Sequence, residues 1–409
     1  MSNRAAIEVE TKVPRFQALD GLRGIAALLV LLLHVEVEWS SHITDLQFVK
    51  NGYLAVDLFF ILSGLVIAAN YSTRILDVRT ALRFIGLRLF RVYPLHLAVL
   101  TAFVALECVK ALAQSALGIM PGQHPFTGGQ SLESFVAHIF LVQGLGLLPT
   151  PGWNGPSWSI SCEFFAYLLF AVTTLLGLFR NRAFLFLVAI TATFGYAALA
   201  LTRGTLNVVY DLGLVRCIAG FFWGVLIFRW SLIASMRSFR WVPLCEIGVT
   251  VALISAMSII SGRSILIVIP LLILLVTLLG SDRGPVAQLL LSKPAQYLGR
   301  ISYSIYMVHY FVIECVFMVL KRIIPSAYSP NTRKDFLFLN PWSGDALLLA
   351  VVAVVILIAS RTYDSIELPG RLFGRKVFQL DVTVRQTDRS SVCVDVIPPR
   401  LDPAATRQQ

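Results

Sequence analysis

Apolar residues fall in long, nearly unbroken runs along this chain, with polar residues gathered between them. Such runs match the roughly 20 residues a helix needs to cross a bilayer core. They predict spans at 18–36, 52–70, 93–117, 158–178, 183–201, 212–230, 243–260, 264–280, 301–320 and 345–360, about ten in all. The run at 133–148 is shorter, and Pro149 and Pro151 follow it, so it reads as interfacial or re-entrant. Residues 1–15 are mostly polar and lack a signal-peptide core, so they read as a cytoplasmic N-terminal segment of the mature chain. Past 377 the apolar periodicity stops, and Pro398, Pro399 and Pro403 suit a disordered cytoplasmic tail over 377–409. The expected fold is all-α, a polytopic transmembrane helical bundle occupying residues 16–376.

Composition sharpens this. Of 409 residues, 57% are hydrophobic and only 14% charged, against about 45–50% and about 25% in soluble chains. A soluble surface needs more charge than that. The net charge of +11 first suggests an anionic polymer as partner, but the placement of the charges explains it differently. Arg74, Arg79, Arg83, Arg88 and Arg91 fall on one side of the predicted spans, with Arg229, Arg237, Arg240, Arg283, Arg361, Arg371 and Arg375. Lys50, Arg203 and Arg263 fall on the other. By the positive-inside rule both termini are cytoplasmic. The 321–344 loop, with Lys321, Arg322, Arg333 and Lys334, runs against the rule. No basic and aromatic stripe points to nucleic acid. Six cysteines include no Cys-x-x-Cys pair, so no metal site or redox pair is expected.

Ionisable residues inside spans cost roughly 2.5–3.5 kcal/mol each at mid-bilayer and mark candidate chemistry. Arg23 and His34 are eleven residues apart on the first span, which puts them on one face, roughly 16 Å apart along the axis. Alone, they read equally well as a snorkelling arginine and an interfacial histidine. Asp57 and Glu163 enter their spans from the outer side, at the expected depth of His34. Either carboxylate could orient a histidine acting as a base. Arg216 is an ion-pair partner for either one. Glu107 and Lys110, three apart, neutralise each other on one helix. Ser302, Tyr306 and His309 form a polar face that lines a cavity or joins helices. Arg88 and Arg91 lie one turn apart, which suits either bidentate phosphate recognition or anchoring on anionic membrane lipid. Asn154, Pro156, Trp158, Ser159 and Glu163 crowd one span entrance. Intramembrane His and carboxylates also build proton relays, so a proton-coupled transporter or flippase of a glycan-like substrate is the other functional class. The missing repeat symmetry speaks against it. A scaffold without activity is a third.

Six segments in order resemble the acyltransferase-3 family of integral membrane acyltransferases: LDGLRGIAALLVLLLH, VDLFFILSG, RLFRVYP, WNGPSWSISCEFFAY, LGRISYSIYMVH and YDSIELPGR. The resemblance covers about 16–376. It implies an O-acetyltransferase type of enzyme without a fused esterase-like domain, in a bacterial inner membrane. The donor substrate is a cytoplasmic acyl-CoA, commonly acetyl-CoA, with no bound cofactor. The acceptor is a hydroxyl of a cell-surface or exported glycan, a lipid-linked saccharide or a related molecule. His34 matches the family's catalytic histidine and Arg23 the arginine paired with it. Arg88 and Arg91 match the Arg-x-x-Arg pair associated with CoA. Glu163 matches the acid of the Trp158–Ser159 segment, Ser302 and Tyr303 belong to the Ser-Tyr-Ser segment, and Tyr363 to the tail signature. Together with depth, this makes His34 the expected general base, oriented by Glu163 or Asp57. Arg23, Arg88, Arg91 and Tyr363 are expected on acyl-CoA. Arg216 and Tyr303 are guesses for an oxyanion donor. Acyl-enzyme formation on His34 or a serine is the competing route.

Overall fold

The structure is a computed structural model that describes residues 16–36, 38–117, 124–329 and 336–378, with backbone only at 328, 329 and 336. It also gives the backbone of two strands, 382–387 and 391–396. The 1–15 segment, Arg333, Lys334 and the rest of the tail lie outside the described residues. Fifteen α-helices follow one another: α1 Gln17–Glu36, α2 Gln47–Lys50, α3 Leu54–Tyr71, α4 Val78–Leu117, α5 Leu132–Ile139, α6 Trp158–Leu175, α7 Arg182–Arg203, α8 Gly213–Arg229, α9 Leu232–Ser238, α10 Val242–Ile259, α11 Val268–Leu279, α12 Pro285–Leu290, α13 Lys293–Ile323, α14 Pro341–Thr362 and α15 Leu368–Val377. Among the described residues nine helices are long and apolar enough to cross a membrane, and α8 with α9, bent by 50°, makes a tenth. The helical bundle expected from hydropathy is thus present. Strands are short: β1 Tyr328–Ser329 pairs antiparallel with β2 Phe336–Leu337, and β3 Val382–Thr387 with β4 Ser391–Val396.

Helix ends follow local chemistry. Asn181 caps α7 by accepting from the Ala183 and Phe184 N–H groups, and Gly204 closes that helix at φ 70°. Two ends differ from expectation. The third span begins at Val78 rather than 93, so the Arg83–Arg91 run is part of the spanning helix. Pro94 lies inside α4 and leaves the Phe90 carbonyl without its helical donor. Gly370 of α15 packs onto the Pro94 ring beside that carbonyl, so the freed backbone is buried in protein. The last span also does not stop at 360. It widens into a π turn over Tyr363–Glu367 and runs on as α15, so the tail signature continues the helix past the predicted end of the span. Pro369 supplies a reason: it has no N–H and would clash in a regular turn, and an i→i+5 turn relieves both.

Close helix crossings set the frame of the bundle. A Cβ on Gly24 of α1 would run into the Leu298–Gly299 backbone of α13, and one on Gly299 would meet the Asp20 carbonyl. Gly64 of α3 and Gly224 of α8 make the same kind of contact across their crossing. Small residues that let backbones touch are how helices lock where lipid removes the hydrophobic drive.

The 133–148 run forms the eight-residue α5, too short to cross. The loop after it is pinned inside the protein. Tyr93 donates to the Ile139 carbonyl at 2.8 Å and Ser161 to Leu141 at 2.6 Å. His138 of α5 is buried beside His96, and its Nδ1–H donates to the Ser134 carbonyl at 2.7 Å. Burial pushes the His138 imidazole down from 6.5 to about 4. Its contribution is therefore fully present above about pH 6.5 and lost as pH falls toward 4, where the unfolded chain takes a proton that the fold resists. The thermal midpoint of the detergent-solubilised protein should decline between pH 6.5 and 5, with a shallower slope in His138→Gln.

Candidate active site

The α1–α13 seam brings the first span's polar face against that of α13. A cavity of about 60 Å³ sits beside it, bordered by Arg23, Ser159, Glu163, Ser302, Tyr303 and Tyr306. Val56, Phe59 and Phe60 of α3 supply its apolar wall. Five of these residues are ones the sequence singles out as site candidates. Glu163 accepts from the Ser63 hydroxyl and from the Tyr167 hydroxyl, the latter at 2.5 Å. Ser159 Oγ lies 2.7 Å from the Tyr306 hydroxyl, and both face the Pro156 carbonyl, at 3.1 and 2.9 Å. Ser302 Oγ donates back to the Gly299 carbonyl at 2.8 Å. Tyr303 donates to the Val92 carbonyl at 2.5 Å and so ties α13 to α4.

Arginines gather at one end of this cavity. Arg91 is an electrostatic neighbour of Arg23, of Glu367 and of Arg371. Arg88 donates to the Tyr71 hydroxyl at 2.8 Å and lies over that ring, 5.0 Å from its centroid. Arg375 is an electrostatic neighbour of Tyr71, Arg88 and Arg91. One carboxylate among them is Glu367, which accepts from Ser304 at 2.9 Å and sits 3.7 Å from Arg371. Tyr363, in the π turn, is an electrostatic neighbour of Arg371. Arg23 Nε, Arg83 Nη2, Arg88 Nε and Arg375 Nη1 are buried and have no hydrogen-bond acceptor among the described residues. Buried N–H groups of a guanidinium normally find acceptors. A cluster in which several have none fits an anion with many oxygens.

His34 lies toward the other end of α1. Its Nδ1–H donates to the Val30 carbonyl at 2.8 Å, and His309 Nε2 stands 3.3 Å from the same nitrogen. The His309 and Tyr310 rings meet it edge-on, with centroids at 4.9 and 5.7 Å. The bonds on Nδ1 thus come from α1 itself and from α13 rather than from Glu163 or Asp57. Glu163 lies with Arg23 and Arg88 as electrostatic neighbours. This departs from the expectation that it lies beside His34.

Asp57 is elsewhere still. It is fully buried in an ion pair with Arg216, whose Nη2 and Nε reach its carboxylate at 2.6 and 2.9 Å. Tyr196 donates to Asp57 at 3.1 Å, and the Tyr53 and Val208 carbonyls take the remaining Arg216 donors at 2.6 and 3.1 Å. Every arm of Arg216 is in use, so it braces α3 against α8 instead of facing the cavity. Trp158 stands between the two sites, its ring 5.8 Å from the Arg216 guanidinium. Glu107 and Lys110 do neutralise each other, at 2.7 Å, with Glu314 at 3.9 Å from the amine.

Sequence reasoning missed Ser63, Tyr71 and the role of Arg371 and Arg375. Ser63 lies in the VDLFFILSG segment but the resemblance gives it no role, and Tyr71 carries no local signal. Arg371 and Arg375 are spaced i, i+4 beside the tail signature, a pattern that reads equally as positive-inside bias.

Comparison with known proteins identifies a family. The family described as "Acyltransferase domain" matches residues 16–361. Over 173 residues the chain is 36% identical to the acyltransferase MdmB of Streptomyces mycarofaciens, an alignment covering 39% of each protein. Over 174 residues it is 32% identical to "Protein 2 in picA locus" of Rhizobium radiobacter, covering 38% of this chain and 81% of that protein. Over 399 residues it is 25% identical to the O-acetyltransferase OatA of Staphylococcus aureus (strain NCTC 8325 / PS 47), covering 89% of this chain and 59% of OatA. The chain therefore spans less than two thirds of MdmB and of OatA. No solved structure matches it. On the extent of the family match, the chain belongs to the acyltransferase-3 family, and its described residues include nine helices long and apolar enough to cross a membrane.

Proposed function

We propose that this enzyme moves an acyl group, acetyl as the first expectation, from cytoplasmic acyl-CoA to a hydroxyl of a cell-surface or exported glycan or related acceptor, in a bacterial inner membrane. The observation that carries this reading is the group of arginines around Arg23, which borders the cavity three turns of α1 from His34; Arg23, Arg88 and Arg375 each have a buried N–H group without an acceptor among the described residues. The name of OatA supports the acetyl group and the oxygen acceptor. Arg23, Arg88, Arg91 and Arg375 would hold the phosphates of CoA by charge-assisted bonds. The pantetheine arm would enter the bundle past Tyr303 and Tyr306. His34 Nε2 takes the proton of the acceptor hydroxyl, and the oxygen attacks the thioester carbonyl. The C–S bond breaks as the tetrahedral intermediate collapses, and the proton passes from His34 to the CoA sulfur. Arg216 and Tyr303 have their donors engaged, and the Ser159 and Tyr306 hydroxyls already bond each other and the Pro156 carbonyl, so a donor to the oxyanion has to exchange one of these bonds for it.

The test is binding of acetyl-CoA to the reconstituted chain. Each charge-assisted bond is worth about 1.5–3 kcal/mol, so Arg88→Ala with Arg91→Ala should weaken the dissociation constant about 100-fold or more. An unchanged constant would leave these arginines as lipid anchors and remove the donor assignment.

A further inference from the structure

The structure assigns a second histidine to the reaction: we propose that His309 is a positioning residue that fixes the tautomer and pose of His34. This rests on His34 being the general base. The assignment follows from which nitrogens must carry protons. His34 Nδ1 faces the Val30 carbonyl at 2.8 Å, and a carbonyl only accepts, so Nδ1 is protonated. His309 Nδ1 faces the Ile305 carbonyl at 3.2 Å and is protonated for the same reason. In the neutral ring, His309 Nε2 is then a bare lone pair, and it stands 3.3 Å from the His34 Nδ1–H. One N–H is thus shared between an acceptor on α1 and an acceptor on α13.

The consequence is at the far side of the His34 ring. With its proton fixed on Nδ1, the basic lone pair of His34 belongs to Nε2, the atom that must receive the hydroxyl proton. This is the part a carboxylate plays in a Ser-His-Asp triad, here given to a fully buried neutral imidazole. As His34 becomes an imidazolium, its Nδ1–H bonds to Val30 and His309 become charge-assisted and strengthen. His309 exchanges no proton: the hydroxyl proton goes to His34 Nε2 and from there to the departing CoA sulfur. Distance control comes from the glycine seam. Gly24 and Gly299 bring the backbones of α1 and α13 into contact below the two rings, and the Tyr310 ring closes on His34 edge-on.

The experiment compares His309→Gln, His309→Met and His34→Ala in the full, reconstituted chain, using acetyl-CoA and release of the CoA thiol. Glutamine places Oε1 near the position of the imidazole Nε2 and keeps an acceptor, whereas methionine keeps the bulk and offers a poor one. His309→Met should lower kcat about 100-fold with KM for acetyl-CoA unchanged, and His309→Gln should recover to within about tenfold of the parent. Should His309→Met not fold, His309→Asn, whose amide stops short of Nδ1, takes its place with the same expectation. Equal losses in the Gln variant and in the Met or Asn variant, or a loss confined to KM, would show a packing role and overturn the proposal. Parental kcat in His309→Met alongside an inactive His34→Ala would overturn it while leaving the functional reading in place. An active His34→Ala would overturn both.

Discussion

Replacing His34 by alanine is expected to lower acyl transfer about 10²–10⁴-fold, the usual worth of a positioned general base. Acyl-CoA binding should hold, because Arg23 and its arginine neighbours lie three turns of α1 away from this ring. The reasoning is geometric. Two acceptors engage Nδ1, at 2.8 and 3.3 Å, so proton transfer is left to Nε2. His34 occupies an α1 position three turns from Arg23, on the same face. Turnover is read as CoA thiol release in proteoliposomes, beside an acetyl-CoA binding constant for the same preparation. Turnover within a factor of about 3 of the parent, well under the effect of losing a base, would remove His34 from the chemistry. An acyl-enzyme on a serine would then be the next route to examine.

Arg216→Met should cost about 3–5 kcal/mol of stability, since it strands the Asp57 carboxylate in the bundle interior. Asp57 is 0% exposed and Arg216 1% exposed, and together they close a network with Tyr196 and the carbonyls of Tyr53 and Val208. Most of the loss comes from the orphaned charge rather than from the attraction itself. Asp57→Leu combined with Arg216→Met should therefore be far milder than Arg216→Met alone. Thermal unfolding of the three proteins in one detergent measures this. A double variant as unstable as the single would show that the pair matters through its packing. Acyl-CoA affinity in the surviving fold should change little, because Arg216 does not border the cavity.

The spans were legible in the sequence because hydropathy depends on local composition alone. Helix ends were less so. Pro94 looked like a helix start, yet the neighbouring Gly370 lets α4 pass through it, and no local rule contains that contact. Arg23, Ser159, Glu163, Ser302 and Tyr303 were named from motifs, and the bundle gathers all five around one cavity. Their partners were harder to read. Depth counting placed Asp57 and Glu163 near His34, but depth does not say which neighbouring helix a side chain faces: Asp57 turns to Arg216 of α8, and Glu163 has Arg23 and Arg88 as electrostatic neighbours. His34 and His309 are 275 residues apart, and the packing of α1 on α13, with its Gly24–Gly299 contact, is what brings their rings together.

The π turn at Tyr363–Glu367 has a consequence for register. A π turn holds one residue more than the regular helix it interrupts, so everything beyond it is rotated by about 100° relative to an uninterrupted helix. Arg371 and Arg375 lie beyond it, and that rotation turns them toward Arg91 and Arg88. In a straight continuation of α14 the same two side chains would point to a different quadrant. Their membership of the cationic cluster is therefore encoded by the extra residue as much as by the arginines themselves.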